Sequence, residues 1–96
     1  MTLFSFPEDA HWDPETEAVH FTVELGEYRG TVRVARAVFR SLLAATATPE
    51  KCLEAYHLHR TRFERAVEGK LRRRELAEDG NLDLTGRDMR RAEDAG

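Results

Sequence analysis

Ninety-six residues, 41 % of them hydrophobic and 34 % charged, allow one small soluble domain and no more. No apolar run reaches the roughly 20 residues that span a bilayer, and the first residues have neither the basic start nor the apolar stretch of a secretory signal. The single cysteine, Cys52, excludes an internal disulfide and an all-cysteine metal site, and it fits a reducing cytoplasm.

The net charge of −3 hides a segregation. Residues 1–27 carry seven acids and no Lys or Arg, whereas residues 28–47 carry four arginines and no acid. Residues 57–74 hold seven basic side chains against Glu64 and Glu68, and the last 22 residues are again acidic. Complementary faces of one small body explain such alternation. The basic stretch is also a candidate footprint for an acidic partner, although the pI near 5.8 is low for a dedicated nucleic-acid binder.

In chain order, Phe4 and Phe6 alternate with Ser5 and predict a short strand ended by Pro7. His11 falls in an acidic loop with Asp9 and Asp13, and Trp12 is expected to close one end of the core. Asp13-Pro14-Glu15-Thr16 has turn chemistry. Residues 18–35 predict a β-hairpin. Alternation is strict from Val19 to Leu25, and Gly26-Glu27 suits a two-residue turn with glycine first. That turn sets Leu25 opposite Tyr28, Val23 opposite Gly30, Phe21 opposite Val32 and Val19 opposite Val34, all on one apolar face. Glu24 with Arg29, Thr22 with Thr31 and His20 with Arg33 fall on the other.

Ala35, Val38, Phe39, Leu42 and Leu43 predict a short helix over 36–45. Thr48 is a good N-cap, Pro49 suits the first helical position, and Glu50 complements the helix dipole. A long helix over 49–77 follows, with Cys52, Tyr56, His59 and Phe63 on its apolar stripe. Unbroken, it would run about 43 Å, against about 34 Å for a compact domain of this length. It must bend, project or be covered by a second copy. Gly69 is the expected bend, and a homodimer is the expected cover. Asn81 to Leu84 predict a short edge strand. Thr85 and Asp88 resemble a capping box with Asp in place of Glu, opening a terminal helix through Met89. Residues 1–90 then form one compact domain, and 91–96 a frayed tail.

The fold class is therefore α+β: a small antiparallel sheet of three or four strands (N-terminal strand, hairpin 18–35, edge strand 81–84). The short helix 36–45 and the long helix 49–77 pack on one face.

Chemistry is harder to find. Cys52 reads as a small buried hydrophobe rather than a nucleophile. His57 and His59 are two apart on a helix and point apart, so they do not make a zinc pair; His59 reads as a hydrogen-bonded core histidine. The glycines at 26, 30, 69, 80 and 86 are scattered and form no phosphate loop. No catalytic residue, metal site or cofactor is assigned. The candidate binding residues are Arg65, Lys70, Arg72, Arg73 and Arg74 in the basic half of the long helix, joined by exposed groups of the hairpin. In sequence these basic residues spread around the helix instead of lining one face. The functional expectation is a non-enzymatic protein-interaction or regulatory module that self-associates as a homodimer. One alternative is a nucleic-acid-associated regulator using the same arginines. Another is a small enzyme, with Cys52 or His59, whose site is built across a dimer.

The order Phe6-Pro7, Trp12-Asp13, Ala18-Val19-His20-Phe21, Pro49-Glu50, His59-Arg60, Asp79-Gly80-Asn81, Leu84-Thr85 and Asp88 resembles a family of small bacterial proteins, the domain of unknown function numbered 1488. The likeness runs from about Phe4 to Arg90. It implies a compact α+β domain in a bacterial cytoplasm. It implies no activity, substrate or cofactor, so no residue role is carried over from it.

Overall fold

The structure, a computed structural model, describes residues 3–43 and 46–95. Its centre is the hairpin of β3 (Ala18–Leu25) and β4 (Tyr28–Ala35), paired in the register that the turn dictates, from Leu25 opposite Tyr28 to Ala18 opposite Ala35. Gly26 takes φ +61° at the first turn position, a conformation that glycine adopts without penalty. Gly30 is needed for a different reason. A Cβ there would clash with the Tyr28 hydroxyl, because the Tyr28 ring folds over that position on its way to the Gly80 carbonyl, 2.8 Å from its hydroxyl.

The N-terminal segment runs along the free edge of β3 as two short strands, β1 (Phe4–Ser5) and β2 (His11–Asp13). β1 pairs with the Glu24–Leu25 end and β2 with the Ala18–His20 end. Pro7 lies between them, where a ladder donor is missing. The Asp9 carboxylate accepts from the Thr22 amide and hydroxyl, which satisfies the stretch of β3 edge that neither strand covers. β2 is a correction to the sequence reading, which left His11 in a loop. Three residues are too few for alternation to reveal a strand. The far edge is β5 (Leu82–Leu84), which pairs parallel with β4. Among the described residues the sheet thus has five strands and is mixed, antiparallel except for that pair.

α1 (Arg36–Leu42), α2 (Pro49–Leu58), α3 (Arg60–Arg72) and α4 (Gly86–Ala95) complete the chain. The predicted helix over 36–45 ends at Leu42, and residues 44 and 45 lie outside the described residues. Thr48 caps α2 by accepting from the Lys51 amide at 3.2 Å. Thr85 and Asp88 form the expected reciprocal box: the Asp88 amide donates to Thr85 Oγ1 at 3.2 Å, and the Thr85 amide donates to Asp88 Oδ2 at 2.9 Å. α4 continues to Ala95.

The long helix is corrected in two places. It breaks at His59 (φ −109°, ψ 27°) and not at Gly69, which stays inside α3. The break lets α2 and α3 each follow the twisted sheet. Tyr56 and Phe63 both reach its apolar face, while Leu58 at the vertex is turned outward, 79 % exposed. His59 is itself exposed at the junction and is not a core residue. The helix then stops at Arg72 in a Schellman arrangement: the Glu75 amide donates to the Lys70 carbonyl and the Arg74 amide to the Leu71 carbonyl, with Arg74 in the left-handed region at φ 57°. These two changes resolve the length conflict. The radius of gyration is 12.6 Å and the longest extent 40 Å.

Val19, Phe21, Val23, Val32 and Val34 form the apolar face of the sheet, roofed by the helices. Aromatic rings join the layers: Phe21 to Tyr56 at 4.8 Å, Tyr56 to Phe63 at 5.5 Å and Phe63 to Phe39 at 5.6 Å between centroids. The opposite face carries the polar half of the alternation.

Candidate functional site

Two polar constellations stand outside this core. The first crosses the open face of the sheet. His11, His20, Arg33 and Asp83 are successive partners across β2, β3, β4 and β5. The rings of His11 and His20 meet edge-on at 5.7 Å. The Thr16 hydroxyl donates to Asp13 Oδ2 at 2.5 Å and accepts from His20 Nε2 at 2.9 Å. Burial holds His20 below the ordinary imidazole range; Asp13 opposes that shift, while His11 and Arg33 add to it. Arg33 is itself occupied by Asp83 at 2.6 Å and Asp79 at 2.7 Å, and its hydrogen bonds hold the Asp79 carboxyl down to about 2.

The resemblance to a hydroxyl–imidazole–carboxylate triad does not survive the geometry. In a triad the imidazole accepts the hydroxyl proton and the carboxylate holds the other ring nitrogen. Here the hydroxyl proton points at the carboxylate, and the imidazole is the donor, so nothing activates Thr16 as a nucleophile. Among the described residues no three His, Cys, Asp or Glu side chains are grouped to hold a metal ion. Cys52 is fully buried, and burial pushes its thiol pKa up, the opposite of what a reactive thiol needs.

The second constellation is a groove of about 390 Å³ between α3 and α4. Arg65, Glu68, Gly69, Arg72 and Arg73 line one wall, and Asp88 and Arg91 the other. Positions 65 and 72 are seven apart, 20° short of two full turns, so they share a face. Of the five predicted binding residues, the structure brings Arg65, Arg72 and Arg73 together and separates the other two. Lys70 points inward, its Nζ 2.7 Å from both Asp88 Oδ2 and the Asp83 carbonyl. Arg74 leaves the helix at the left-handed position and lies exposed.

The three groove arginines differ in how they are held. Arg72 lies over the Phe4 ring, its guanidinium carbon 5.6 Å from the centroid. Arg73 pairs with Glu75 at 3.1 Å and reaches Asp88 at 3.7 Å. Glu75 also meets Arg91 at 3.7 Å. Arg91 is the groove residue that sequence reasoning missed, because it falls in the predicted tail. Among the described residues, Arg65 and Arg72 have no carboxylate partner. The groove is therefore lined by Arg65 and Arg72, which have no carboxylate of their own among the described residues, beside Arg73 and Arg91, which share Glu75.

A one-sided α+β sheet domain with a basic helical groove is what these features define. The chain belongs to the family described as "Protein of unknown function (DUF1488)", which it matches over residues 4–84. It is similar to a solved structure of a protein of unknown function from that family, from Shewanella loihica PV-4. That similarity has a TM-score of 0.77 and 21 % identity, covering 84 % of this chain and 90 % of the other. The likeness is one of fold. No curated protein matches the chain, and no described helix is long and apolar enough to cross a membrane.

Proposed function

We propose that this chain is a non-enzymatic protein-interaction module of the bacterial cytoplasm, and that the α3–α4 groove takes acidic side chains of its partner. The observation that carries the reading is the pairing state of the arginines: Arg65 and Arg72 share a groove and have no carboxylate of their own among the described residues. Arginine is suited to the task, since its planar fork matches a carboxylate and its charge does not titrate.

Glu68 and Asp88 line the same groove. The Glu68 carboxylate beside the arginines would repel a phosphate backbone, whereas a protein partner can present acids and bases in a matching pattern. This favours a protein over a nucleic acid. The buried thiol and the unactivated Thr16 hydroxyl likewise favour binding over catalysis.

Calorimetry at low ionic strength with a glutamate-rich peptide, and with its glutamine-rich counterpart as control, tests this. The glutamate peptide alone should bind, and Arg65→Glu with Arg72→Glu should weaken it at least about tenfold, two charge pairs of roughly 0.7 kcal/mol each. Tighter binding of duplex DNA with a steep salt dependence would transfer the same arginines to the nucleic-acid alternative.

A further inference from the structure

We infer that the partner of the arginine groove is a second copy of this chain, docking the Glu24 and Glu27 side chains of its β3–β4 turn against Arg65 and Arg72. The inference rests on the groove taking carboxylates and adds where they come from.

Glu24 and Glu27 flank the turn that closes the hairpin. Among the described residues neither makes an ion pair. Between them the Leu25–Tyr28 pair is only half-buried. Arg72 lies at the same end of the molecule, with Arg65 two turns back along α3, about 10 Å away. Arg72 covers Phe4, and Phe4 is the strand partner of Leu25. Glu27 of the turn and Arg72 are therefore neighbours, joined by apolar surface that includes Leu3, 71 % exposed, while Glu24 faces Arg29 across the hairpin.

That arrangement is self-complementary. A two-fold axis between such adjacent patches brings acid to base twice, with the same residues used on both copies. Within one chain the two patches do not neutralise each other. A dimer of ordinary size takes about 800 Å² from each partner, a modest fraction of the 6150 Å² that the chain exposes.

Light scattering on the full chain and on two charge-reversed variants provides the test. Wild type should show twice the 11.0 kDa of one chain, and high salt should lower that mass toward the single chain. Glu24→Lys with Glu27→Lys should be monomeric, and so should Arg65→Glu with Arg72→Glu. An equimolar mixture of the two variants should recover the doubled mass, since both contacts are restored with their signs exchanged. Circular dichroism checks that each variant folds. Should one fail to fold, the salt dependence of the wild-type mass decides. A monomeric wild type, a dimer insensitive to salt or to both reversals, or folded variants that stay monomeric when mixed would overturn the inference. A monomeric wild type that still binds the glutamate-rich peptide removes only the second copy. One that binds neither removes the arginine-groove reading as well.

Discussion

Lys70 Nζ lies 2.7 Å from Asp88 Oδ2, joining the end of α3 to the start of α4 inside the protein. Asp88 is only 5 % exposed. The same ammonium donates to the Asp83 carbonyl on the outer strand, also at 2.7 Å, and so occupies part of a sheet edge that would otherwise be open to another strand. Removing one member of a buried pair costs about 3–5 kcal/mol; Arg73 at 3.7 Å and the Thr85 hydrogen bonds stay on Asp88 and hold the loss to the low end. Lys70→Met is therefore expected to destabilise the protein by roughly 3 kcal/mol, read from urea unfolding. An unchanged midpoint would mean that Lys70 is solvated and free to bind a partner.

The same pair sets part of the acid response. Burial tends to raise the Asp88 pKa, but the hydrogen bonds from Lys70 and Thr85 outweigh it and hold the carboxyl below its ordinary 3.8. A carboxyl depressed in the folded state contributes stability that is complete above its unfolded pKa and is lost as pH falls through the folded one. Stability measured against pH should therefore fall below about pH 4. Asp88→Asn should be less stable at neutral pH and fall less steeply in that window. Parallel wild-type and variant curves would contradict this.

Arg74 ends α3 in a backbone conformation that costs an L-residue about 1–2 kcal/mol. Glycine avoids that cost but gives back about 0.4–1 kcal/mol through a more flexible unfolded chain. Arg74→Gly should therefore raise stability by about 0.5–1 kcal/mol, seen as a higher urea midpoint at unchanged slope. A loss would show that the Arg74 side chain holds a contact of its own.

Cys52 should label only when the protein opens. It is fully buried on α2, and burial also raises its pKa, so thiolate and access are both scarce. With a chromogenic disulfide reagent, the native rate should follow the unfolding rate and rise by orders of magnitude in denaturant. Fast native labelling would return Cys52 to the list of candidate nucleophiles.

What the sequence disclosed follows from the range of the interactions involved. The hairpin was legible because its turn and its alternation are local and agree with each other. The Thr48 cap and the Thr85–Asp88 box were legible for the same reason. The break at His59 was not, since no glycine or proline marks it. Gly69 looked weaker, yet a glycine costs only about 1 kcal/mol in a helix interior, which packing readily offsets. The parallel pairing of β5 with β4 joins segments far apart in the chain and leaves no local trace. At the groove, the sequence supplied Arg65, Arg72 and Arg73 but also the inward-facing Lys70. The seven-residue spacing that aligns Arg65 with Arg72 is obscured by Lys70 and Arg74, which face elsewhere. Arg91 was invisible because it falls in the predicted tail, beyond the terminal helix expected to end near Met89, whereas α4 continues to Ala95.

The most direct measurement is nuclear magnetic resonance of the arginine side-chain Nε–Hε groups during titration with a glutamate-rich peptide. Shifts concentrated at Arg65 and Arg72, weaker at Arg73 and Arg91, and absent at Arg29 and Arg40 are the predicted result. Shifts spread evenly over all arginines, or none at a peptide excess, would contradict the assignment of the α3–α4 groove as the binding surface.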